Sequence, residues 1–272
     1  MIAELLANHV PIFVHAVIRF IKRLIKGVLV SFGLVIFKRS TGIYIGEEET
    51  PALAPRLCGT AQPVTVDGGA HKGGFVDAVR KISPGARFLC FEPDPLLASR
   101  LRAKFVDDAQ VQIIQAALGS SSGAATFNIN CSRACNSLAS SGGGATGVLG
   151  KLMTTMESIT VEVTTLDEAM LHARMPGCDI IKLDLQGHDL EALSGANQTL
   201  KSARVVVVEV WYAPVYAGKV TFIEICEFLR NSGFAIYSLV GLHYSTTDRL
   251  LWSDAVFIRA DSAQFAEPVT IA

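Results

Sequence analysis

A glycine-rich turn is the strongest sign of a ligand site in this sequence. The stretch VTVDGGAHKGGF begins as an apolar, β-branched strand, ends that strand at an aspartate and continues through small residues into a helix. Small residues let the backbone approach a ligand, and the N–H groups at a helix start bind a carboxylate or phosphate. The turn therefore predicts a site for S-adenosylmethionine or a dinucleotide, unless its glycines serve only the turn itself. The residues assigned to this site are Asp67, Gly68, Gly69, Ala70 and Gly73.

An acidic residue stands at the end of the next predicted strand. The stretch ARFLCFEPD reaches Glu92 close to the distance beyond a glycine turn at which an acid meets the hydroxyls of a ribose. A carboxylate there accepts hydrogen bonds from both hydroxyls. The alternative is a solvated acid before a helix that starts at Pro95. Because Glu92 accompanies the glycine turn, the sequence favours the ribose role.

Three further residues are candidates for proton transfer. In KLDLQGHDLEAL, Asp184 stands near the carboxyl end of an apolar strand, and His188 stands at the start of the following helix. Open α/β sheets bind ligands at that edge, and either side chain can accept a proton. Glu209 ends the run VVVVEVW, and so apolar a strand rarely ends in an acid without solvent, a partner or a ligand beside it. The alternatives are that Asp184 only orients a ligand and that His188 is structural.

The elements that must position these residues alternate along the chain. Apolar, β-branched runs are separated by helical stretches that begin at Gly74, Pro95, Asp189 and Thr221, which predicts a parallel sheet with helices on both faces. Residues 120–167 interrupt this alternation with strand-like segments, as a hairpin insert would. Near the end, FAIYSLV and DAVFIRA are joined by a polar connection, which predicts an antiparallel pair. The predicted fold class is therefore α/β and Rossmann-like, a mostly parallel twisted sheet with an antiparallel closing strand and a hairpin insert.

The first 50 residues differ in composition from the rest. Residues 11–37 are apolar, but four cations recur on one face of a helix, and each would cost about 2.5–3.5 kcal/mol at a bilayer centre. These cations are Arg19, Lys22, Arg23 and Lys26. We therefore expect a basic amphipathic helix that either contacts an anionic membrane surface or packs on its own domain. The following stretch, GEEETPALAPRLCGTAQP, has the composition of a boundary, so we predict a helical segment and linker in residues 1–50 and a catalytic domain in residues 51–272.

Charge and cysteine usage restrict the function classes. Lys and Arg total 24 against 25 Asp and Glu, so the net charge of −1 gives no field that would hold nucleic acid. The six cysteines form no CxxC pair or zinc spacing, which predicts reduced thiols, a cytoplasmic protein and no metal site.

Five short stretches occur in the order found in one family. These are VDGGAHKGGF, FEPDP, QAALG, VTTLDEA and IIKLDLQGHDLEAL, and with them residues 64–259 resemble FkbM-type methyltransferases. The resemblance implies a class I methyltransferase fold, S-adenosylmethionine as methyl donor, and O-methylation of a sugar, glycan or secondary metabolite. It also implies that Asp184 lies closest to the transfer site and that the adenine is bordered by Gln115, Ala116 and Ala117. Where the family has a pattern like IDVEGxE, this chain has Gln186 and Asp189 in place of the two glutamates.

Two other functions fit parts of the pattern. Gln186 is compatible with a methyltransferase-like domain that binds a ligand or partner and has lost transfer chemistry. The glycine turn and the acid after it also describe the cofactor site of a NAD-dependent oxidoreductase. That alternative is disfavoured because Asp67 directly precedes the glycines, the closing strand is predicted to be antiparallel, and no Tyr-x-x-x-Lys pair occurs.

Overall fold

The computed structural model describes residues 34–39, 42–47, 50–140, 145–216 and 221–265. The chain divides into two compact units, one formed by Met1–Glu49 with Thr246–Asp248 and the other by Thr50–Ser245 with Arg249–Ala272. In the first unit, strands β1 (Leu34–Arg39) and β2 (Gly42–Glu47) form an antiparallel hairpin. This hairpin lies within the first 50 residues, for which a helical segment and a linker were predicted, and LVIFKR contains β-branched residues that favour a strand. The four cations of the predicted amphipathic helix lie outside the described residues.

The second unit contains the remaining described elements. Its strands are β3 (Val64–Gly68), β4 (Arg87–Phe91), β5 (Val111–Ile114), β6 (Ala117–Leu118), β7 (Gly123–Asn130), β8 (Thr155–Thr164), β9 (Ile180–Leu183), β10 (Val205–Trp211), β11 (Phe234–Tyr244) and β12 (Leu250–Arg259). Its helices are α1 (Thr50–Cys58), α2 (Gly74–Ile82), α3 (Pro95–Lys104), α4 (Gly147–Leu152), α5 (Leu166–His172), α6 (Asp189–Ser194), α7 (Thr199–Ser202) and α8 (Phe222–Asn231). Short 3₁₀ turns cover Arg133–Cys135 and Ala263–Phe265.

A seven-stranded sheet forms the centre of this unit, in the order β11-β12-β10-β9-β3-β4-β5. Strands β3, β4, β5, β9 and β10 pair in parallel, whereas β12 runs antiparallel to both β10 and β11. All seven residues of β10 are buried, as expected for a parallel strand covered on both faces. The predicted α/β fold, with a mostly parallel sheet and an antiparallel closing strand, is confirmed.

The helices begin where the sequence placed them. Helices α2, α3 and α6 start at Gly74, Pro95 and Asp189, and α8 starts one residue after Thr221. Helices α4, α5 and α7 were not predicted, and neither was α1, which lies in the proline-rich stretch that was read as a boundary. It forms because its apolar side chains pack in one cluster with β9, β10 and β12, and this tertiary contact outweighs the low helix propensity of proline. None of the helices in the described part of the chain is long and apolar enough to cross a membrane.

The predicted hairpin insert is present and is tied to the sheet edge. Strand β8 pairs antiparallel with β7 and parallel with β6. Asp94, after β4, accepts hydrogen bonds from Arg133 Nη1 and, at 3.0 Å, from Asn136 Nδ2. Ser137 Oγ donates to the carbonyl oxygen of Gln186, after β9, at 2.8 Å. These bonds hold the insert at the carboxyl ends of β4 and β9.

Candidate functional site

A cavity of about 650 Å³, including the space at its open mouth, lies at the carboxyl ends of the central strands. From β3 the chain continues to β4 and β5 on one side, and it resumes at β9 on the other side of β3. Such a switch point is where open α/β sheets bind ligands. The polar lining residues are His71, Glu92, Arg133, Asn136, Asp184, Gln186 and His188, and the walls include Phe91, Ala117, Leu118, Phe127, Leu138 and Leu185.

Gly69 is the residue of the predicted glycine turn that lines this cavity. Its φ is +75°, and a Cβ at this position would lie 2.1 Å from the carbonyl oxygen of Asp184. Any side chain here would therefore collide with the backbone of the neighbouring strand end. Gly69 brings the turn after β3 into direct contact with the segment that carries Asp184.

The other residues of the turn shape it without lining the cavity. A Cβ at Gly68 would meet Leu183 at 2.8 Å, and one at Gly73 would meet the ring of Phe105 at 2.7 Å. The backbone N–H groups of Gly69 and Ala70 both donate to the carbonyl oxygen of Phe91 at 3.0 Å. The expectation that these two groups stay unpaired for a ligand is therefore wrong, because the end of β4 already accepts them.

Asp67 is fully buried and is paired with a lysine that the sequence analysis missed. Lys182 lies opposite Asp67 in the register of β3 and β9, and its Nζ is 3.4 Å from Asp67 Oδ1. Burial raises the pKa of Asp67, although Lys182 opposes this effect. Burial lowers the pKa of Lys182, but Asp67 and Asp184 raise it by more. Lys182 Nζ also donates hydrogen bonds to the carbonyl oxygens of Gly68 and Gly69, each at 3.4 Å. The ion pair therefore stabilises the backbone of the glycine turn.

Glu92 is buried and faces the cavity. Its Oε2 accepts the N–H of His71 at 2.8 Å, and its Oε1 accepts the N–H of Asp94 at 3.0 Å. Burial raises the pKa of Glu92 to about 7, although the two N–H groups oppose this effect. Each carboxylate oxygen has a further lone pair, so the group can also accept two hydroxyl hydrogens.

The three residues predicted to border an adenine divide into two groups. Ala116 and Ala117 are buried and line the cavity. Gln115 is exposed, does not line the cavity, and accepts a hydrogen bond from Arg102 Nη1 at 3.0 Å. The apolar wall beside Ala117 is completed by Phe91 and by Phe127 of the insert.

Asp184 and His188 both line the cavity, as the sequence analysis expected of reacting groups. The Asp184 side chain is 37% exposed, and its Oδ2 lies 3.7 Å from Lys182 Nζ. Its Oδ1 accepts a hydrogen bond from Gln186 Nε2 at 2.7 Å. His188 Nδ1 lies 3.8 Å from a carboxylate oxygen of Glu191.

Glu209 lies behind Gln186 and does not line the cavity. Its Oε2 accepts hydrogen bonds from Gln186 Nε2 at 2.9 Å and from Trp211 Nε1 at 3.0 Å. Burial and the nearby Asp184 raise the pKa of Glu209 well above its ordinary value. Glu209 can therefore act on a bound ligand only through Gln186.

Asp189 is also buried, and it stabilises the loop that carries Gln186. Its carboxylate accepts the N–H of Leu185 at 3.0 Å and that of Gly187 at 3.3 Å. Burial raises the pKa of Asp189 to about 7, and the two N–H groups oppose this effect. The carboxylate thus fixes the backbone on both sides of Gln186.

Arg133 and Asn136 were not predicted as site residues from the sequence. Arg133 and Asn136 belong to the insert and reach the cavity through Asp94, 39 and 42 residues away along the chain. Tyr216 donates its hydroxyl hydrogen to Gln186 Oε1. For Lys182 a signal was available: it is the one charged residue in the strand IIKL, and a buried lysine calls for an acid beside it. Among the described residues, no group of three or more histidine, cysteine or acidic side chains is arranged to hold a metal ion.

Comparison with known proteins gives one family match and two curated relatives. Residues 67–236 match the family described as "Methyltransferase FkbM domain". The chain is 24% identical over 184 residues to the 2-O-methyltransferase NoeI of Sinorhizobium fredii, covering 62% of this chain and 72% of NoeI. It is 33% identical over 58 residues to the hexuronic acid methyltransferase AglP of Haloferax volcanii, covering 21% of this chain and 24% of AglP.

A solved structure gives a weaker match. The crystal structure of a methyltransferase FkbM from Methylobacillus flagellatus aligns with a TM-score of 0.47 and 16% sequence identity. The alignment covers 73% of this chain and 44% of that chain, so this chain spans less than half of its length.

Proposed function

This chain belongs to the FkbM methyltransferase domain family, and on that premise we propose that it transfers a methyl group from S-adenosylmethionine to a hydroxyl group of a sugar, glycan or secondary metabolite. The family match over residues 67–236 includes the glycine turn, Glu92 and Asp184. The α/β fold with a mostly parallel sheet and an antiparallel closing strand agrees with this membership.

The observation that carries the proposal is the meeting of Gly69, Glu92 and Asp184 in one cavity, after three neighbouring strands. Glu92 is buried and accepts two backbone N–H groups, and its remaining lone pairs suit the two hydroxyls of a ribose. The absence of a side chain at Gly69 lets the turn after β3 lie directly against the backbone of Asp184, so that both line the same cavity. The apolar walls beside Phe91 and Phe127 suit an adenine ring. The residues present therefore fit S-adenosylmethionine.

When bound, S-adenosylmethionine supplies a methyl group on a positively charged sulfur. In a transfer to a hydroxyl, the acceptor oxygen would take this methyl group as the carbon–sulfur bond breaks, and the hydroxyl proton would have to leave the oxygen. Asp184 accepts the hydrogen bond of the acceptor hydroxyl and takes this proton, because its carboxylate is half exposed in the cavity. His188, the residue directly before α6, is the second candidate for this role. Phe127, Arg133, Asn136 and Leu138 of the insert line the cavity, where they can hold the acceptor in line with the reacting groups.

The acceptor class rests on the relatives. The printed names of the two curated relatives are those of a 2-O-methyltransferase and a hexuronic acid methyltransferase. A sugar hydroxyl is therefore our first choice of acceptor. The chain covers about a quarter of AglP, so an acidic sugar is one member of the acceptor panel rather than its only member.

Isothermal titration of the protein with S-adenosylmethionine, S-adenosylhomocysteine and NAD tests the donor. We expect both adenosyl ligands to bind and Glu92→Gln to weaken them about 10- to 100-fold, because hydrogen bonds to a charged group are lost. Asp107→Asn, which removes an exposed carboxylate outside the cavity, is the matched control and should bind normally.

The same protein is then incubated with radiolabelled S-adenosylmethionine and a panel of neutral and acidic sugars. Label in a sugar, retained after alkaline hydrolysis of esters, supports O-methylation. Binding of NAD alone would replace the methyltransferase proposal with an oxidoreductase. Tight donor binding without transfer to any hydroxyl would indicate a domain that has lost its chemistry.

A further inference from the structure

Gln186 occupies an unusual position between two carboxylates. Its Nε2 donates to Asp184 Oδ1 at 2.7 Å and to Glu209 Oε2 at 2.9 Å, and its Oε1 accepts the hydroxyl hydrogen of Tyr216. Its φ is +54°, a conformation that a residue with a side chain seldom adopts. The carbonyl oxygen of the same residue accepts a hydrogen bond from Ser137. The surrounding structure therefore holds a strained backbone in place.

The partners fix which end of the amide faces which group. The two hydrogens of the amide nitrogen point to Asp184 Oδ1 and Glu209 Oε2, and the same oxygen of Glu209 also accepts the N–H of Trp211. The carbonyl end then accepts from Tyr216, whose hydroxyl donates. All the hydrogen-bonding capacity of the amide nitrogen is used, and Gln186 joins two acidic side chains without carrying a charge of its own.

A glutamate at position 186 would place a third carboxylate between Asp184 and Glu209 in place of an uncharged hydrogen-bond donor. Three acidic oxygens would converge, and at least one proton or one cation would be needed between them. Several other ionisable groups already surround this position: Asp189, Asp254, Lys182, Cys135 and Tyr216. Among these groups Lys182 is the cation, and it already lies beside Asp67 and Asp184.

We propose that Gln186 is a positioning residue, which holds Asp184 toward the acceptor hydroxyl and, as an uncharged double donor, takes the place that a cation would otherwise fill between Asp184 and Glu209. This inference rests on the proposed function for its catalytic part only. The charge arrangement is a property of the folded chain and can be tested without an acceptor.

The first test measures thermal stability of the wild type, Gln186→Glu, Gln186→Met and Gln112→Glu at pH 8, with and without 5 mM calcium or magnesium chloride. We expect Gln186→Glu to lower Tm by roughly 3 °C or more, and either cation, or a shift to pH 6, to restore much of that loss. Gln112 is exposed on β5, outside the cavity, so Gln112→Glu controls for the added charge. The wild type, Gln112→Glu and Gln186→Met should not respond to the cations.

The second test measures steady-state kinetics once an acceptor is known. Gln186→Met removes both donors at similar volume, so kcat should fall about tenfold while KM for S-adenosylmethionine stays within twofold. The kcat of Gln186→Glu should rise as the pH is lowered or when calcium or magnesium is added. A purely structural role would not produce this rescue.

Two results would overturn the inference. One is a Gln186→Glu protein whose Tm and kcat match the wild type and ignore cations. The other is a wild-type protein whose activity is lost in EDTA and restored by magnesium. If no acceptor is ever methylated but the cation response of Gln186→Glu appears, the proposed function fails while the charge arrangement stands.

Discussion

The two sides of the cavity are built by different means. The donor half, formed by Gly69, His71 and Glu92 after β3 and β4, is held by main-chain groups: the N–H groups of Gly69 and Ala70 bind the carbonyl of Phe91, and Glu92 accepts two more N–H groups. The proposed transfer half is formed by Asp184 and Gln186 after β9, with Glu209 of β10 behind them, and it is held by hydrogen bonds between side chains.

This difference predicts how each half responds to change. A main-chain arrangement tolerates most side-chain substitutions, but it fails where a Cβ cannot fit. A side-chain network is sensitive to conservative exchanges, because removal of one partner leaves another buried polar group unpaired. Backbone changes should therefore affect folding through the donor half, whereas small polar changes should affect turnover through the transfer half.

The largest effect is expected from Gly69→Ala. The new Cβ would lie 2.1 Å from the carbonyl oxygen of Asp184 at a φ of +75°, and we expect a loss of about 4 kcal/mol or more of unfolding free energy. Urea denaturation followed by circular dichroism measures it. Gly74→Ala, where a Cβ meets no atom within 4 Å, is the control and should be neutral or slightly stabilising. Equal stability of the two variants would contradict the role given to this close approach.

Next in size is Asp184→Asn in the transfer half. The exchange keeps the shape but removes the proton acceptor, so kcat should fall about 10²- to 10⁴-fold while the affinity for S-adenosylhomocysteine stays the same. Steady-state kinetics and titration calorimetry separate the two quantities. His188→Gln is the companion variant and should lose less than Asp184→Asn. A larger loss of kcat in His188→Gln than in Asp184→Asn would make His188 the proton acceptor.

The pH dependence of donor binding gives a third, smaller difference between the halves. Because burial raises the pKa of Glu92 to about 7, this carboxylate takes up a proton as the pH falls below about 7 and loses acceptor capacity for the ribose hydroxyls. The affinity for S-adenosylhomocysteine should then fall, by up to about tenfold for each pH unit. Glu92→Gln should bind more weakly but with no such slope between pH 5 and 8. A slope that persists in this variant would assign the titration to another group.

The smallest effect is expected where the insert meets the transfer half. Ser137→Ala removes the hydroxyl that donates to the Gln186 carbonyl and accepts the N–H of Ala139, each at 2.8 Å. We expect about 1 kcal/mol lower stability and faster hydrogen exchange in residues 131–140. The exposed Ser120→Ala, outside the cavity, provides the comparison and should leave exchange in that segment unchanged. Unchanged exchange in Ser137→Ala would mean that Asp94 alone anchors the insert.

Most of the sheet and the donor half could be predicted from the sequence because their signals are local. Apolar runs, glycines and capping residues predicted strands and the starts of α2, α3 and α6 within single stretches. The predicted secondary structure was wrong where tertiary contacts outweighed the local amino-acid composition. Helix α1 contains Pro55 and lay in a stretch read as a boundary, yet it packs on the sheet. The hairpin of β1 and β2 was missed because charged and glycine residues around it resembled a linker.

The sequence by itself determined the fold class, the family and the presence of Gly69, Glu92 and Asp184 at the ends of strands, since each follows from residues within a few positions of one another. Only the tertiary structure decided that Gln115 turns away, that Lys182 supports Asp67, and that Gln186 lies between Asp184 and Glu209. Gln186 and Glu209 are 23 positions apart and Lys182 and Asp67 are 115 positions apart, and these two contacts exist because the strand order places β9 between β3 and β10. A pattern along the chain carries no information on such side-chain neighbours until the order of the strands is known.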